Sequence, residues 1–275
     1  MVGPIMKKYF FELVSVFLFA ALFTFSLSTS AESQNYYPTS IGNTWILESE
    51  DKAEHIVYTV EESDEVINDI DLTLLKITNE TLGTDVSTSQ KLYVDFDEDG
   101  IKLYRIVVEL DETFGEATAV LYPPGLFYPA TLKLGDTWEL TAESEILLVG
   151  PITFISTSEV VAIEDVVTPA GTFENCVKVR ISTRTVSTLS ITRSTAYQWL
   201  APNFGHVKFV NTQDVVYELV SSNLLYDVTG DGVVNISDLV FVAARFGEAN
   251  TEGDVNNDGT VNILDLVLVA KNFSN

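Results

Sequence analysis

Two stretches of twelve residues constrain the C-terminal end of this chain more than anything else in it. Residues 227–238, DVTGDGVVNISD, align without gaps onto residues 254–265, DVNNDGTVNILD, 27 positions later. The likeness continues as Leu239-Val240 against Leu266-Val267, then Phe246 against Phe273. Calcium is a hard cation that takes six to eight oxygens, and a short loop wraps it only if ligands alternate along the chain. Positions one, three and five supply Asp227, Thr229 and Asp231 in the first loop, and Asp254, Asn256 and Asp258 in the second. Position six needs a sharp turn, and Gly232 and Gly259 stand there. Position seven offers the carbonyls of Val233 and Thr260, position nine places Asn235 and Asn262 to act through water, and position twelve ends each loop with Asp238 or Asp265. Two calcium ions are therefore expected. Thr229 offers a hydroxyl where Asn256 offers an amide carbonyl, so the second loop is expected to bind more tightly.

A helix should follow each loop. Ile236, Leu239, Val240, Ala243 and Phe246 fall at helical spacing, as do Ile263, Leu266, Val267, Ala270 and Phe273, so two apolar faces are expected to bury one another. No helical pattern precedes either loop. A tandem of calcium loops without entering helices, each ending in Asp, resembles a type I dockerin over residues 224–275. The resemblance implies a small all-α calcium-binding domain that binds a cohesin-like partner on a scaffold or cell surface, often within polysaccharide-degrading complexes. In that family, loop positions ten and eleven contact cohesin. Here they are Ile236, Ser237, Ile263 and Leu264, where the best-known members have small hydroxyl residues, which points to a partner with a more apolar surface.

The other end of the chain reads as an export signal. Lys7 and Lys8 precede an apolar run that ends in Ser28-Thr29-Ser30-Ala31, the three parts of a secretory signal, with cleavage expected after Ala31. The run is nearly long enough to span a bilayer, but the small-residue exit favours cleavage over a retained anchor. The chain carries 15 Lys+Arg against 40 Asp+Glu, and removal of residues 1–31 leaves 13 against 39. So acidic a surface repels phosphate backbones, which argues against a nucleic acid partner, and attracts cations. One cysteine, Cys176, excludes an internal disulfide and sits in an apolar alternation as a small core residue.

Between these ends, residues 32–220 form the expected β-rich domain. Short alternating runs rich in Val, Ile, Thr and Tyr (residues 55–60, 91–95, 102–108, 152–156, 176–183 and 206–210) are broken by Gly, Asn, Asp and Pro. They argue for an antiparallel barrel, half-barrel or sandwich, a mainly β fold ahead of the small helical tail. Ile41-Gly42-Asn43-Thr44-Trp45 recurs as Leu134-Gly135-Asp136-Thr137-Trp138, a turn feeding a strand. With residues 169–175 and 199–208, these turns resemble exported bacterial β domains of half-barrel type, a likeness that implies fold and no catalytic residue.

No motif in that domain announces a chemistry. Asp95, Asp97 and Asp99 open like a calcium loop, but position twelve is Ile106, so a hairpin turn is expected. His55 and His206 are each isolated among strand residues. Trp45, Trp138 and Trp199 read as core, which leaves residues 122–128, YPPGLFY, as the best exposed aromatic segment for a ligand. The leading reading is a secreted, calcium-binding protein that docks a non-catalytic β domain. Two alternatives stay open: a polysaccharide-active glycoside hydrolase or carbohydrate-binding component with the same tail, and a half-barrel carrier of lipid or glycan.

Overall fold

The computed structural model describes residues 35–84, 87–109, 115–146, 150–249, 252–256 and 258–274. The signal segment, residues 1–31, lies outside the described residues. Twelve strands form a closed antiparallel barrel in which each strand pairs with its neighbours in sequence: β1 (Thr44–Ser49), β2 (Glu54–Glu61), β5 (Thr73–Thr81), β6 (Ser87–Asp97), β7 (Gly100–Glu109), β8 (Glu116–Pro129), β9 (Thr137–Ile146), β10 (Gly150–Thr168), β11 (Gly171–Ser187), β12 (Ile191–Ala201), β13 (Gly205–Val210) and β14 (Val216–Ser222). A two-stranded hairpin, β3 (Val66–Ile67) and β4 (Ile70–Asp71), projects between β2 and β5. The barrel closes where β1 pairs with β14, Trp45 opposite Ser222 and Ser49 opposite Tyr217. Of the three architectures left open by the strand pattern, the closed barrel is the one formed. Closure removes the free edges that an open sheet would expose.

The repeated turn divides this barrel into two halves of six strands. Gly42 N donates to Val60 O at 2.8 Å and Val60 N to Asn43 O at 2.9 Å; Gly135 N donates to Val160 O and Val160 N to Asp136 O, both at 2.9 Å. Asn43 N and Asp136 N close the same tight turn onto Ser40 O and Lys133 O. β1, β2 and β5–β8 follow the first turn, and β9–β14 follow the second.

Strand alternation sorts side chains to the two faces. The inside holds Trp45, Trp138, Phe127, Tyr128, Phe154, Ile181, Leu200 and Leu219, all buried. Cys176 is buried too, and desolvation pushes its thiol up to about 12. The outside carries a cross-strand row of Lys178, Trp199, Lys208, Glu218, Glu48 and His55. Within it Lys208 Nζ meets Glu218 Oε1 at 2.6 Å and His55 Nε2 meets Glu48 Oε2 at 3.2 Å. An apolar interior inside a charged wall is the reverse of a barrel that faces lipid.

Trp199 belongs to that outer row, yet it is buried, as its reading as core expects. It stands opposite Lys178, between inward-facing neighbours, and donates Nε1–H to Glu164 at 2.7 Å. Lys178 Nζ lies 4.6 Å and Lys208 Nζ 5.8 Å from its ring centroid. The long lysine stems cover the indole, so it is buried without being inside.

The acidic segment at residues 95–99 is a hairpin tip: Asp97 pairs with Gly100 across β6 and β7, and Asp97 Oδ1 accepts from Asp99 N and Gly100 N. Gly100 has φ +136°, and a Cβ there would lie 2.1 Å from Tyr128 O and 2.6 Å from Ala130 N. Backbone cannot yield as a side chain can, so Gly100→Ala should destabilise the barrel by about 1–3 kcal/mol. A lowered urea midpoint with unchanged slope is the expected readout. The aromatic segment expected as exposed, residues 122–128, lies wholly within strand β8. Tyr122, after which the bond to Pro123 is cis, is exposed, but Phe127 and Tyr128 are buried inside the barrel.

Beyond β14 a four-residue 3-10 turn, Asn223–Tyr226, leads into the tail. The tail holds two nine-residue helices, α1 (Ile236–Ala244) and α2 (Ile263–Lys271), and is loop for most of its length. The two repeats are closed on each other. Gly247 N, after the first helix, donates to Val261 O of the second loop at 2.8 Å. Ser274 N, 27 positions on, donates to Val234 O of the first loop at 2.8 Å. Each repeat thus holds the other's loop.

Candidate metal centre

Both loops fold by the same hydrogen bonds, and the first aspartate organises each. Asp227 Oδ1 accepts from Gly230 N and Asp231 N, and its Oδ2 from Gly232 N at 2.7 Å. Asp254 Oδ1 accepts from Asp258 N and its Oδ2 from Gly259 N at 2.8 Å. Gly232 at φ +84° and Gly259 at φ +98° make the turn that brings these N–H groups inward, a conformation that costs a side-chain-bearing residue energy.

The last aspartate closes each loop and starts each helix. Asp238 Oδ2 accepts from Asn235 N at 2.8 Å and Oδ1 from Thr229 N at 3.1 Å; Asp265 does the same with Asn262 N at 2.7 Å and Asn256 N at 3.2 Å. Asn235 and Asn262 cap their helices, accepting from Ser237 N and Leu264 N, so cap and Asp form a reciprocal box. The side chain at position nine, expected to act through water, also serves as the helix cap. The spacing N-x-x-D was the signal for it.

The two third-position residues differ. Thr229 Oγ1 lies 3.0 Å from Asp238 Oδ1 and 3.2 Å from Asp227 Oδ1, bridging two carboxylates. Asn256 turns instead to Asp258, donating to its Oδ2 at 3.1 Å and accepting from its N at 2.8 Å. Asn262 Nδ2 also donates to Asp258, and these two amides hold the Asp258 carboxyl below its ordinary value.

Charge is what these loops leave uncompensated. Asp238 and Asp265 are 0% exposed, Asp254 is buried, and no ion pair among the described residues reaches them. Burial raises the Asp227 carboxyl above its ordinary value, with Asp238 and Asp231 adding to the rise against the Gly232 and Gly230 N–H groups. Buried carboxylates without a cation nearby are costly, and a divalent ion with oxygen preference relieves that cost. Among the described residues no three His, Cys, Asp or Glu side chains stand as a ready-made metal cluster. Each loop instead mixes three aspartates with amide, hydroxyl and carbonyl oxygens. That donor set fits a calcium ion held by Asp227, Thr229, Asp231, Val233, Asn235 and Asp238 in one loop. In the other it would be held by Asp254, Asn256, Asp258, Thr260, Asn262 and Asp265.

The helices do not pack as their apolar spacing implied. Val242 and Val269 are buried between them with Val234 and Val261 of the loops, while Leu239 and Leu266 pack against this core. Ile236, Val240, Ile263 and Leu264 are 61%, 61%, 60% and 56% exposed, and Phe246, Val267 and Phe273 are exposed as well. Asp238 and Asp265 must face their loops, and that requirement sets the rotation of each helix. Residues four positions on, Val242 and Val269, are carried inward with them. The four residues expected to meet a partner, Ile236, Ser237, Ile263 and Leu264, therefore all lie on the surface.

A second polar constellation lies inside the barrel, and the sequence did not flag it. Tyr128 Oη donates to Gln198 Oε1 at 2.6 Å, and Gln198 Nε2 bonds to His206 Nδ1. Tyr58 stacks on the His206 ring at 4.0 Å, with Tyr37 edge-on at 4.6 Å. Burial lowers the imidazole to about 3, so it is neutral and fits a core role. His55 stands on the opposite face of the wall, paired with Glu48.

Residues 141–225 match the DUF3108-like family, a stretch of less than half of the chain that runs from β9 to the turn after β14. No curated protein matches the chain. Two solved structures are similar. One is described as a lipoprotein from Parabacteroides distasonis, 15% identical, with 70% of this chain and 100% of that one covered at a TM-score of 0.42. The other is described as an exported protein with YmcC-like fold from Bacteroides fragilis, 14% identical, with 69% and 99% covered at a TM-score of 0.36. At these levels of similarity the functional reading rests on the chain's own residues.

Proposed function

We propose that this is an exported calcium-binding protein whose tail docks a non-catalytic barrel onto a cohesin-like scaffold or cell-surface protein. The observation that carries the reading is the pair of loops. They share one bonding pattern, each buries a carboxylate that no cation among the described residues compensates, and their helices leave Ile236, Val240, Ile263 and Leu264 outward. Bound calcium would neutralise the loop carboxylates. The loop backbones and the Asn–Asp boxes then hold α1 and α2 in the orientation that presents this apolar strip. Large apolar side chains left exposed on both helices favour a protein interaction site.

Binding to a panel of immobilised cohesin modules, in calcium and in chelator, tests the reading. Calcium-dependent binding that Ile236→Asp with Ile263→Asp abolishes is the expected result. Calcium-independent binding, or none to any module, would overturn it. Export has its own measurement: the native protein should begin near Glu32 by mass spectrometry, and an intact Met1 in the membrane fraction would refute cleavage. The hydrolase and carrier alternatives gain no support from the barrel interior. Its buried positions are filled by aromatic and aliphatic side chains, and the buried acids among the described residues, Asp238, Asp254 and Asp265, all belong to the tail.

A further inference from the structure

We propose that Asn43, on the barrel, is a positioning residue for the first calcium loop, tying that loop to the barrel and raising its calcium affinity selectively. The inference rests on the calcium reading above. Asn43 is 0% exposed and lies in the turn that opens β1. Its Nδ2 donates to Gly232 O, at the sixth loop position, at 3.0 Å. Its Oδ1 accepts from Ser274 Oγ at 2.9 Å. Ser274 Oγ in turn accepts from Asn223 Nδ2 and from Val234 N, the eighth loop position, both at 3.2 Å. One hydroxyl thus donates once and accepts twice, its full capacity. Asn223 completes the circuit on the barrel side, accepting from Thr44 N at 2.9 Å.

The loop backbone is therefore held from two directions. Asp227 takes the N–H of Gly232 from inside the loop, while Asn43 takes the C=O of the same residue from outside. Pro38 lies against the turn, 3.4 Å from where a Gly232 Cβ would be. Val233, whose carbonyl is the seventh-position ligand, follows directly. Fixing Gly232 and Val234 fixes the carbonyl between them, so the barrel's hydrogen bonds help to order the loop as calcium binds. Stabilisation of the bound loop appears as affinity, and by linkage calcium must strengthen the tail's hold on the barrel by the same factor.

The barrel contains its own control. The sister turn, with the same backbone bonds, carries Asp136 where the first carries Asn43, and Leu134 is 63% exposed there. A carboxylate builds the turn equally well but cannot donate to a carbonyl. Among the described residues no such tie holds the second loop: its position-eight Val261 is bonded to Gly247 and Glu248 of the tail itself. The two loops are thus unequal in a way that opposes the advantage of Asn256 over Thr229.

Calcium titration of the full mature chain by calorimetry tests this in two backgrounds. Asp265→Ala isolates the first loop and Asp238→Ala the second. Asn43→Asp should weaken the first-loop site about tenfold and leave the second-loop site unchanged. Ser274→Ala, which leaves the turn intact, should act in the same direction. An unchanged urea midpoint of Asn43→Asp in chelator establishes that the barrel still folds, as the Asp136 turn leads one to expect. Unchanged affinity in the first background, or equal losses in both, overturns the tie while leaving calcium binding standing. Failure of the parent chain to bind calcium at all overturns both readings together.

Discussion

A calcium chelator added to the full-length protein should abolish the helical signal of α1 and α2 and leave the barrel folded. The tail has a core of four valines, Val234, Val242, Val261 and Val269, too small to order some fifty residues alone. Against that core stand six loop aspartates, three in each loop, with Asp238 and Asp265 wholly buried. An ion that binds only the folded loops contributes RT ln(1 + [Ca]/Kd), about 4 kcal/mol at a thousandfold excess over Kd. At each site, calcium binding and the folding of its own loop should be one event. Titration should count two ions per chain. Circular dichroism and limited proteolysis in chelator should show the chain cut after about Ser222 and the barrel still folded. A tail that keeps its helices without calcium, or a barrel that melts with it, would sink the account.

What the sequence disclosed and what it hid divide along the range of the interactions. The twelve-residue loops are local, so spacing alone placed Asp227 to Asp238 and their copies in matching turns. The strands were equally readable from period-two runs, and the hairpin at Asp97 from the strand that continues through Ile101. Barrel closure is non-local: Trp45 finds Ser222 across nearly the whole domain, and only the duplicated Gly-[Asn/Asp]-Thr-Trp turn hinted at two matching halves. Helix rotation was misread because each nine-residue helix offers two apolar stripes. The stripe that wins is set by Asp238 and Asp265, not by hydrophobicity. Trp199 is buried by lysine stems on the outer wall rather than by the barrel interior, a cover that strand alternation does not show. Asn43 and Ser274 carried no local pattern; only the contrast between Asn43 and Asp136 in otherwise matching turns marked the first as different.

Acid should destabilise the barrel through His206 before its surface carboxylates matter, and replacing that residue should remove much of the effect. The imidazole is enclosed by Tyr58, Tyr37 and Trp45, and its Nδ1 is occupied by the Gln198 amide. Gln198 is itself fixed, because Tyr128 donates to its Oε1, so the amide presents N–H to Nδ1 and His206 carries its proton on Nε2. A second proton would have to enter at Nδ1, against that N–H and in an apolar enclosure. The folded value therefore lies near 3, against the ordinary 6.5 of an unfolded chain. Between those limits the unfolded state binds a proton that the folded state refuses, so stability is intact above about pH 6.5 and falls as pH drops toward 3. Each pH unit inside that window costs up to about 1.4 kcal/mol from this one group. His206→Phe keeps an aromatic face against Tyr58 but orphans the Gln198 amide, a fixed loss of about 1–3 kcal/mol at every pH. In urea melts monitored by barrel fluorescence, with chelator present throughout, the wild type should lead at pH 7.5. The gap should close, or reverse, by pH 4.5. Parallel pH profiles for the two proteins would show that His206 is not the group that titrates.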